Sequence, residues 1–362
     1  SSVSAVLRYQ VSSYYFFIRQ VIFVLFSCFL GFLFVLKYPT RNYKWFAPLY
    51  LVIVIALLLY VFGYGAIAGG AQSWIDFGFF NLQPTEFAKT ALILYMGVFY
   101  EKSLKKKKTF LYNFIPIVIA LFIFILVAKQ PDFGGAAIIA GIVFFAFLKV
   151  PFPEKKKVNI IKYIGIGTIL FAIILLYSGS DIFSSSQLSR LKFSSPCSRY
   201  MDDTGYQVCN GLIAYHNGGL LGVGLGNSSQ KYLYLPESYT DFIFPIIVEE
   251  WGATVGVIIV FMYLFVIYRL YRIARRAVNL QGSILAYGVC VYLFLHISIN
   301  LIGVTGLGPL TGVPLPFLSY GGSYVISLFS SLGIAQRVCI ESVSKKESQV
   351  RKGAKKKKSG NV

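Results

Sequence analysis

The chain has 362 residues, of which 56% are hydrophobic, 17% aromatic and only 13% charged, with mean hydropathy +0.68. Soluble domains carry about 25% charged residues, so a soluble globular protein is excluded, and continuous rather than alternating apolar runs argue against a membrane barrel. The net charge of +20 would point to nucleic acid in a soluble protein, but here it lies in short loops and in the tail, as in polytopic helical membrane proteins.

Residues 1–13 (SSVSAVLRYQVSS) are too polar for a signal peptide or a span. Nine apolar runs then meet the requirement of about 17–25 residues per crossing: 15–36, 45–63, 84–101, 109–128, 133–149, 158–177, 243–268, 284–304 and 322–340. Residues 64–83 mix glycine, aromatics and one acid, and suit an interfacial or re-entrant position. A long polar loop covers 178–242. Within it, 211–226 holds six glycines among apolar residues, but no strand precedes them, so a dinucleotide fingerprint is a poor match. Residues 305–322 hold three prolines and five glycines. Apolar, helix-breaking backbone at a membrane face should line a protein-walled cavity. Residues 1–343 read as one transmembrane domain, and 344–362 as a disordered basic tail drawn to anionic lipid.

Orientation follows from Lys and Arg. Alternate loops hold Lys37, Arg41 and Lys44; Lys102 and 105–108; Lys149 and 155–157; and Arg269, Arg272, Arg275 and Arg276. The tail adds nine more, so these loops and the C-terminus are cytoplasmic, while 1–13 and 178–242 are outside. Most acids fall outside or within the membrane, which hydropathy does not require and which suggests an outward-facing polar site.

Asp241 sits where the loop gives way to the span at 243–268. Its functional reading and its reading as a helix cap are evenly matched on composition. Glu249 and Glu250 lie about 12–14 Å further along a continuous helix, and read as structural partners for a buried cation or for polar backbone. Pro84 fits a first helical position. Glu86 and Lys89, spaced i, i+3, share one face: a self-neutralising pair, with Lys89 also available to a phosphate. Lys129, Arg190, Lys192, Arg199 and Lys231 oppose the positive-inside bias, which fits an anionic ligand, although loops this long cross regardless of charge. Cys197 and Cys209 face an oxidising side and suit a bracing disulfide. Cys28, Cys290 and Cys339 read as packing residues, no His/Cys cluster suggests zinc, and His296 reads as a helix-packing residue.

QPTEFAK (83–89), KQPDFGGA (129–136), the run from Gly205 through TDFIF to Gly252, and GPLTGVPLPFLSYGGS (308–323) resemble the SEDS proteins of shape, elongation, division and sporulation. The resemblance runs through nearly the whole chain in order, and QKYLYLPE is closer to the division-type than to the elongation-type branch. It implies a ten-helix, multi-pass protein of the bacterial cytoplasmic membrane, with the family's first helix preceding residue 1. It implies a peptidoglycan glycosyltransferase that polymerises lipid II at the outer face. It further implies a class B penicillin-binding protein and other division proteins as partners, with no nucleic acid. The family's essential aspartate maps to Asp241, and its membrane Glu and Lys map to Glu86 and Lys89. Two departures stand out: Tyr239 where the family often has His, and Tyr324 where it often has Ser.

The implied chemistry needs one base for the acceptor hydroxyl and cationic support for a leaving diphosphate. Asp241 is the expected base. Glu86, Lys89, Arg190, Gln230, Lys231 and Glu237 are the expected substrate-binding residues, with undecaprenyl-diphosphate-linked glycan as donor. A divalent cation, Mg or Mn, is the expected cofactor, and no organic cofactor is implied. The rival readings are a flippase for lipid-linked precursors and a non-catalytic scaffold.

Overall fold

A computed structural model of the chain describes residues 14–68, 71–78, 80–152, 192–232 and 234–359, with positions 12, 158–159 and 162. The rest of the predicted span 158–177, and Arg190, lie outside the described residues. Each of the other eight predicted spans is met by a helix. These are α1 (Tyr15–Lys37), α2 (Tyr43–Tyr64), α3 (Pro84–Lys105), α4 (Ile115–Lys129), α5 (Phe133–Lys149), α7 (Ile243–Arg276), α8 (Leu280–Val304) and α9 (Gly322–Ser359). By length and composition, six helical segments are able to cross a membrane: α1, Thr40–Tyr64, Leu111–Lys129, α7, α8 and Gly322–Ser348. α5 is apolar but shorter.

α3 organises the rest. Pro84 opens it at the position that needs no N–H, and Lys102 and Lys105 close it against the carbonyl end. It is buried on nearly every side, packing against α2, α5, α8 and α9. One face (Leu92, Met96, Tyr100) joins a core with Leu58, Ile123, Ile139 and Phe147. The other (Ile93, Leu94) joins a core with Leu285, Val289, Tyr292, Leu328 and Ile334. The polar residues of α3 are therefore inside protein, where each needs a partner.

Polar knots tie each end of the bundle. At one end Thr40 donates to Glu341, Arg337 donates to Glu341, Gln281 Nε2 donates to the Thr40 carbonyl, and the Gln281 N–H donates to Glu101. At the other, Ser323 links to Asn81 and Gln83, and Gln83 donates to Asp132, the N-cap of α5. The loops predicted to share a side are thus brought together at one end.

Four features differ from expectation. Residues 64–83 hold three short antiparallel strands, β1 (Ala66–Ala68), β2 (Ala71–Asp76) and β3 (Asn81–Leu82), in the order β1-β2-β3. A hairpin satisfies its own backbone, which meets the need a re-entrant segment would have met; Asp76 closes its turn by accepting the Gly78 N–H at 2.7 Å. The loop 178–242 contains, in its described part, a helix, α6 (Asp203–Gly218). α9 does not end near residue 343 but runs to Ser359, through a proline-free stretch rich in helix-forming Lys. Finally, α7 is interrupted at Gly252, where φ is +82° and ψ 166°.

Candidate active site

Asp241 occupies the turn before α7 and is buried. The Thr240 hydroxyl lies 3.1 Å from Asp241 Oδ1 and 2.9 Å from Glu237 Oε2, so one hydroxyl sits between two carboxylates. Glu237 also anchors the turn, its carbonyl accepting the N–H groups of Thr240 and Phe242. The proline-rich stretch 305–321 lies against this turn. The Ser319 hydroxyl donates to the Thr240 carbonyl at 2.6 Å, and the Tyr320 N–H donates to the Tyr239 carbonyl at 2.9 Å. Asn300 Nδ2 donates to the Asp241 carbonyl at 2.8 Å. Gly312, with φ +67°, faces the carboxylate, and a Cβ there would stand 3.7 Å from Asp241 Oδ2. The two sequence segments that carried the resemblance are thus interlocked around one carboxylate.

Tyr239 packs with Phe16 and Tyr320 in an aromatic cluster, ring centroids 5.1–6.1 Å apart. Burial pushes the Tyr320 phenol above its ordinary range, so the cluster presents neutral rings. The Tyr239 departure from the family pattern is a packing residue at the edge of the site.

The predicted cations do not stand open around Asp241. Lys89 is buried, 2.7 Å from Glu86 Oε1 and 3.1 Å from His296 Nε2. The self-neutralising pair expected from the i, i+3 spacing is thus formed, and it is buried because α3 lies in the core. Lys231 is likewise buried and lies 2.6 Å from Glu250, with the Gly226 carbonyl as a second acceptor. Gln230 is buried, its N–H directed to Glu249. Both residues are thus tied to the acids of the following helix.

Glu249 and Glu250 take the structural roles expected of them, but not inside a continuous helix. In an unbroken helix their carbonyls would accept from Ala253 and Thr254. Instead they accept the N–H groups of Val223 and Gly224 at 2.9 and 3.0 Å, while Ala253 and Thr254 donate to the carbonyls of Gly219 and Leu220 at 2.8 and 3.3 Å. The glycine-rich run after α6 is spliced into the gap. Glycine is required there: a Cβ on Gly218, Gly222 or Gly252 would meet opposing backbone at 2.2 Å. The Glu249 carboxylate gathers Ser228, Ser229, Gln230 and Asn217.

A disulfide joins Cys197 and Cys209, tying the turn Pro196–Arg199 to α6, as the pairing in one outer loop predicted. Residues missed in the sequence are Asn300 and Ser319, whose bonds to the Asp241 turn span 59 and 79 residues. The recurrence of polar side chains in otherwise apolar segments was the available signal.

Fold and site together define a polytopic helical membrane protein in which the turn bearing Asp241 is framed by a proline-rich loop. The chain belongs to the FtsW/RodA/SpoVE family, described as "Cell cycle protein", which residues 1–344 match. It is 38% identical over 371 residues to "Probable peptidoglycan glycosyltransferase FtsW" of Bacillus subtilis, covering 99% of this chain and 90% of that protein. It is 32% identical to "Stage V sporulation protein E" of Bacillus subtilis, covering 90% and 87%. Among solved structures, the rod shape determining protein RodA of Thermus thermophilus aligns with a TM-score of 0.62 at 25% identity, covering 89% of this chain and 87% of that one. A chain of a peptidoglycan synthase complex aligns with a TM-score of 0.70 at 24% identity, covering 90% of each, and shares the fold. The division-type resemblance agrees with the higher identity to the FtsW relative.

Proposed function

We propose that the chain is a peptidoglycan glycosyltransferase that polymerises lipid II at the outer face of the bacterial cytoplasmic membrane during cell division. The observation that carries this reading is the interlock of the 237–241 turn with the 305–321 loop, which holds the Asp241 carboxylate beside a side-chain-free Gly312.

In the reaction, the acceptor's C4 hydroxyl attacks C1 of the undecaprenyl-diphosphate-linked donor. The C4 oxygen–C1 bond forms with inversion, the C1–phosphate bond breaks, and the electron pair leaves with the diphosphate. Asp241 takes the hydroxyl proton. General base catalysis of this kind is worth about 10²–10⁴-fold. The Thr240 hydroxyl, shared with Glu237, holds the carboxylate in orientation. Lys89 and Lys231 are paired with Glu86 and Glu250, and a divalent cation would add to the cationic support that the leaving diphosphate needs, alongside Arg190. The described residues hold no group of three His, Cys, Asp or Glu that would bind a metal alone. Asp241 and Glu237 instead offer the one or two carboxylates with which magnesium binds when substrate phosphates complete its shell. Such an ion supplies charge neutralisation at the leaving group. A class B penicillin-binding protein would crosslink the product.

The test is lipid II polymerisation by the purified chain with its transpeptidase partner. Asp241→Asn is expected to lower the rate by about 10²–10⁴-fold while lipid II binding persists. Normal glycan synthesis by that variant removes Asp241 as base. Translocation of lipid II without polymerisation by the parent assigns the chain to the transporter class instead.

A further inference from the structure

Two side chains on one face of α8, His296 and Asn300, are buried and spaced i, i+4. Both reach the loop that backs Asp241. Asn300 Nδ2 donates at 2.8 Å to two carbonyls, that of Asp241 and that of Val313. Its Oδ1 is buried with no hydrogen-bond partner, so the residue is held for its two N–H bonds. His296 Nδ1 lies 3.4 Å from the Pro314 carbonyl, and its Nε2 lies 3.1 Å from Lys89 Nζ.

The tautomer follows from the partners. A lysine ammonium donates and cannot accept, so Nε2 is the bare nitrogen and Nδ1 carries the hydrogen that faces Pro314. The loop needs these donors. Pro314 and Pro316 have no N–H and cannot build a ladder, yet buried carbonyls must be paired. The adjacent carbonyls of Val313 and Pro314 are served from α8.

We propose that Asn300 and His296 are positioning residues for the Asp241 carboxylate, with Asn300 fixing the turn that bears it and the wall opposite, and His296 fixing that wall to the Glu86–Lys89 pair. The proposal rests on the reading of Asp241 as the base. Gly312, which faces Asp241 Oδ2, precedes Val313, whose carbonyl shares the Asn300 amide with Asp241 itself. One amide therefore sets the gap in which the acceptor hydroxyl must lie. Slack of about 1 Å in such a gap costs on the order of 10²-fold in rate.

The test is steady-state polymerisation of lipid II by the full chain with its transpeptidase partner, alongside binding of fluorescent lipid II. Asn300→Ala and Asn300→Asp are expected to lower kcat by about 10–100-fold with KM within about threefold. Asn300→Asp is nearly isosteric but turns donors into acceptors, so it is expected to be no better than Ala. His296→Asn, which keeps a donor near Nδ1, is expected to retain more turnover than His296→Ala. Parental kcat in Asn300→Asp, a change in KM alone, or equal loss in both His296 variants overturns the proposal. Loss of lipid II binding and of monodispersity in both Asn300 variants also overturns it, in favour of a purely structural role. Asp241→Asn, measured in parallel, separates the two readings. If it is inactive while the Asn300 variants turn over normally, the base stands and the positioning role falls. If it is active, the base itself falls.

Discussion

Two lysine–carboxylate pairs are made at nearly the same distance, the fully buried Lys89–Glu86 at 2.7 Å and the partly buried Lys231–Glu250 at 2.6 Å, yet they do opposite things. The first is made within one helical turn and lets a charged segment lie at the centre of an apolar bundle. The second is made between a loop and a broken helix, and locks the splice at Gly252. Removing two charges from water costs several kcal/mol per ion, repaid only by good geometry and further hydrogen bonds. The first pair is repaid by His296, the second by the Gly226 carbonyl and the surrounding backbone. A buried ion pair is therefore not one kind of feature: here one neutralises a helix and the other assembles a loop.

The comparison breaks hardest at the splice. Gly252→Val places a Cβ 2.2 Å from the Leu220 carbonyl at a φ of +82°, and is expected to abolish monodisperse, folded protein in detergent. Gly226→Ala has a similar φ of +83° but nothing within 4 Å, and should cost only about 1–3 kcal/mol in thermal unfolding. Next come the pairs. Lys89→Met leaves the buried Glu86 carboxylate unpaired and should cost about 3–5 kcal/mol, whereas Lys231→Met leaves Glu250, 12% exposed, with access to water and should cost less. The double variant Glu86→Gln with Lys89→Met is expected to recover most of that loss. Glu250→Gln with Lys231→Met is not, because Lys231 also holds the Gly226 carbonyl; equal recovery of both would erase the distinction. Removing the disulfide with Cys197→Ser and Cys209→Ser should cost about 3 kcal/mol for a loop of this length, read as increased amide exchange in α6. The smallest effect belongs to Thr40→Val at the far end, where loss of the hydroxyl bond to Glu341 should cost about 1–2 kcal/mol and leave polymerisation unchanged.

The same contrast explains what could be read from the sequence. Glu86 and Lys89 lie three residues apart behind Pro84, so helix geometry alone joins them. The eight described helices at predicted spans and the disulfide were legible for the same reason: each rests on local pattern or on two residues in one loop. Lys231 and Glu250 are 19 residues apart across a glycine-rich run, and their meeting depends on a break that hydropathy cannot register, since both halves of α7 are equally apolar. Asp241 was legible as unusual, but its frame was not. Asn300, Ser319 and Gly312 reach it from segments that periodicity reads only as span or loop. Lys89 was placed among the ligands because charge in an apolar stretch points to function by default, and Lys231 because it opposes the positive-inside bias; that each also meets an acid is legible for the first from helix spacing and for the second only from the structure.

The break at Gly252 bears on how the molecule meets lipid bilayers of differing thickness. Unbroken, the 34 residues of α7 would run about 51 Å, well beyond a hydrocarbon layer of about 30 Å, and would have to tilt or stretch the membrane to fit. The part after the break, 253–276, is about 36 Å long and spans unaided. The first nine residues are then freed from crossing duty. They can follow the glycine-rich loop to which Val223 and Gly224 bind them, so Asp241 is expected to keep its setting as acyl chain length changes. Polymerisation that stays constant across vesicles of short- and long-chain phosphatidylglycerol would be the visible consequence.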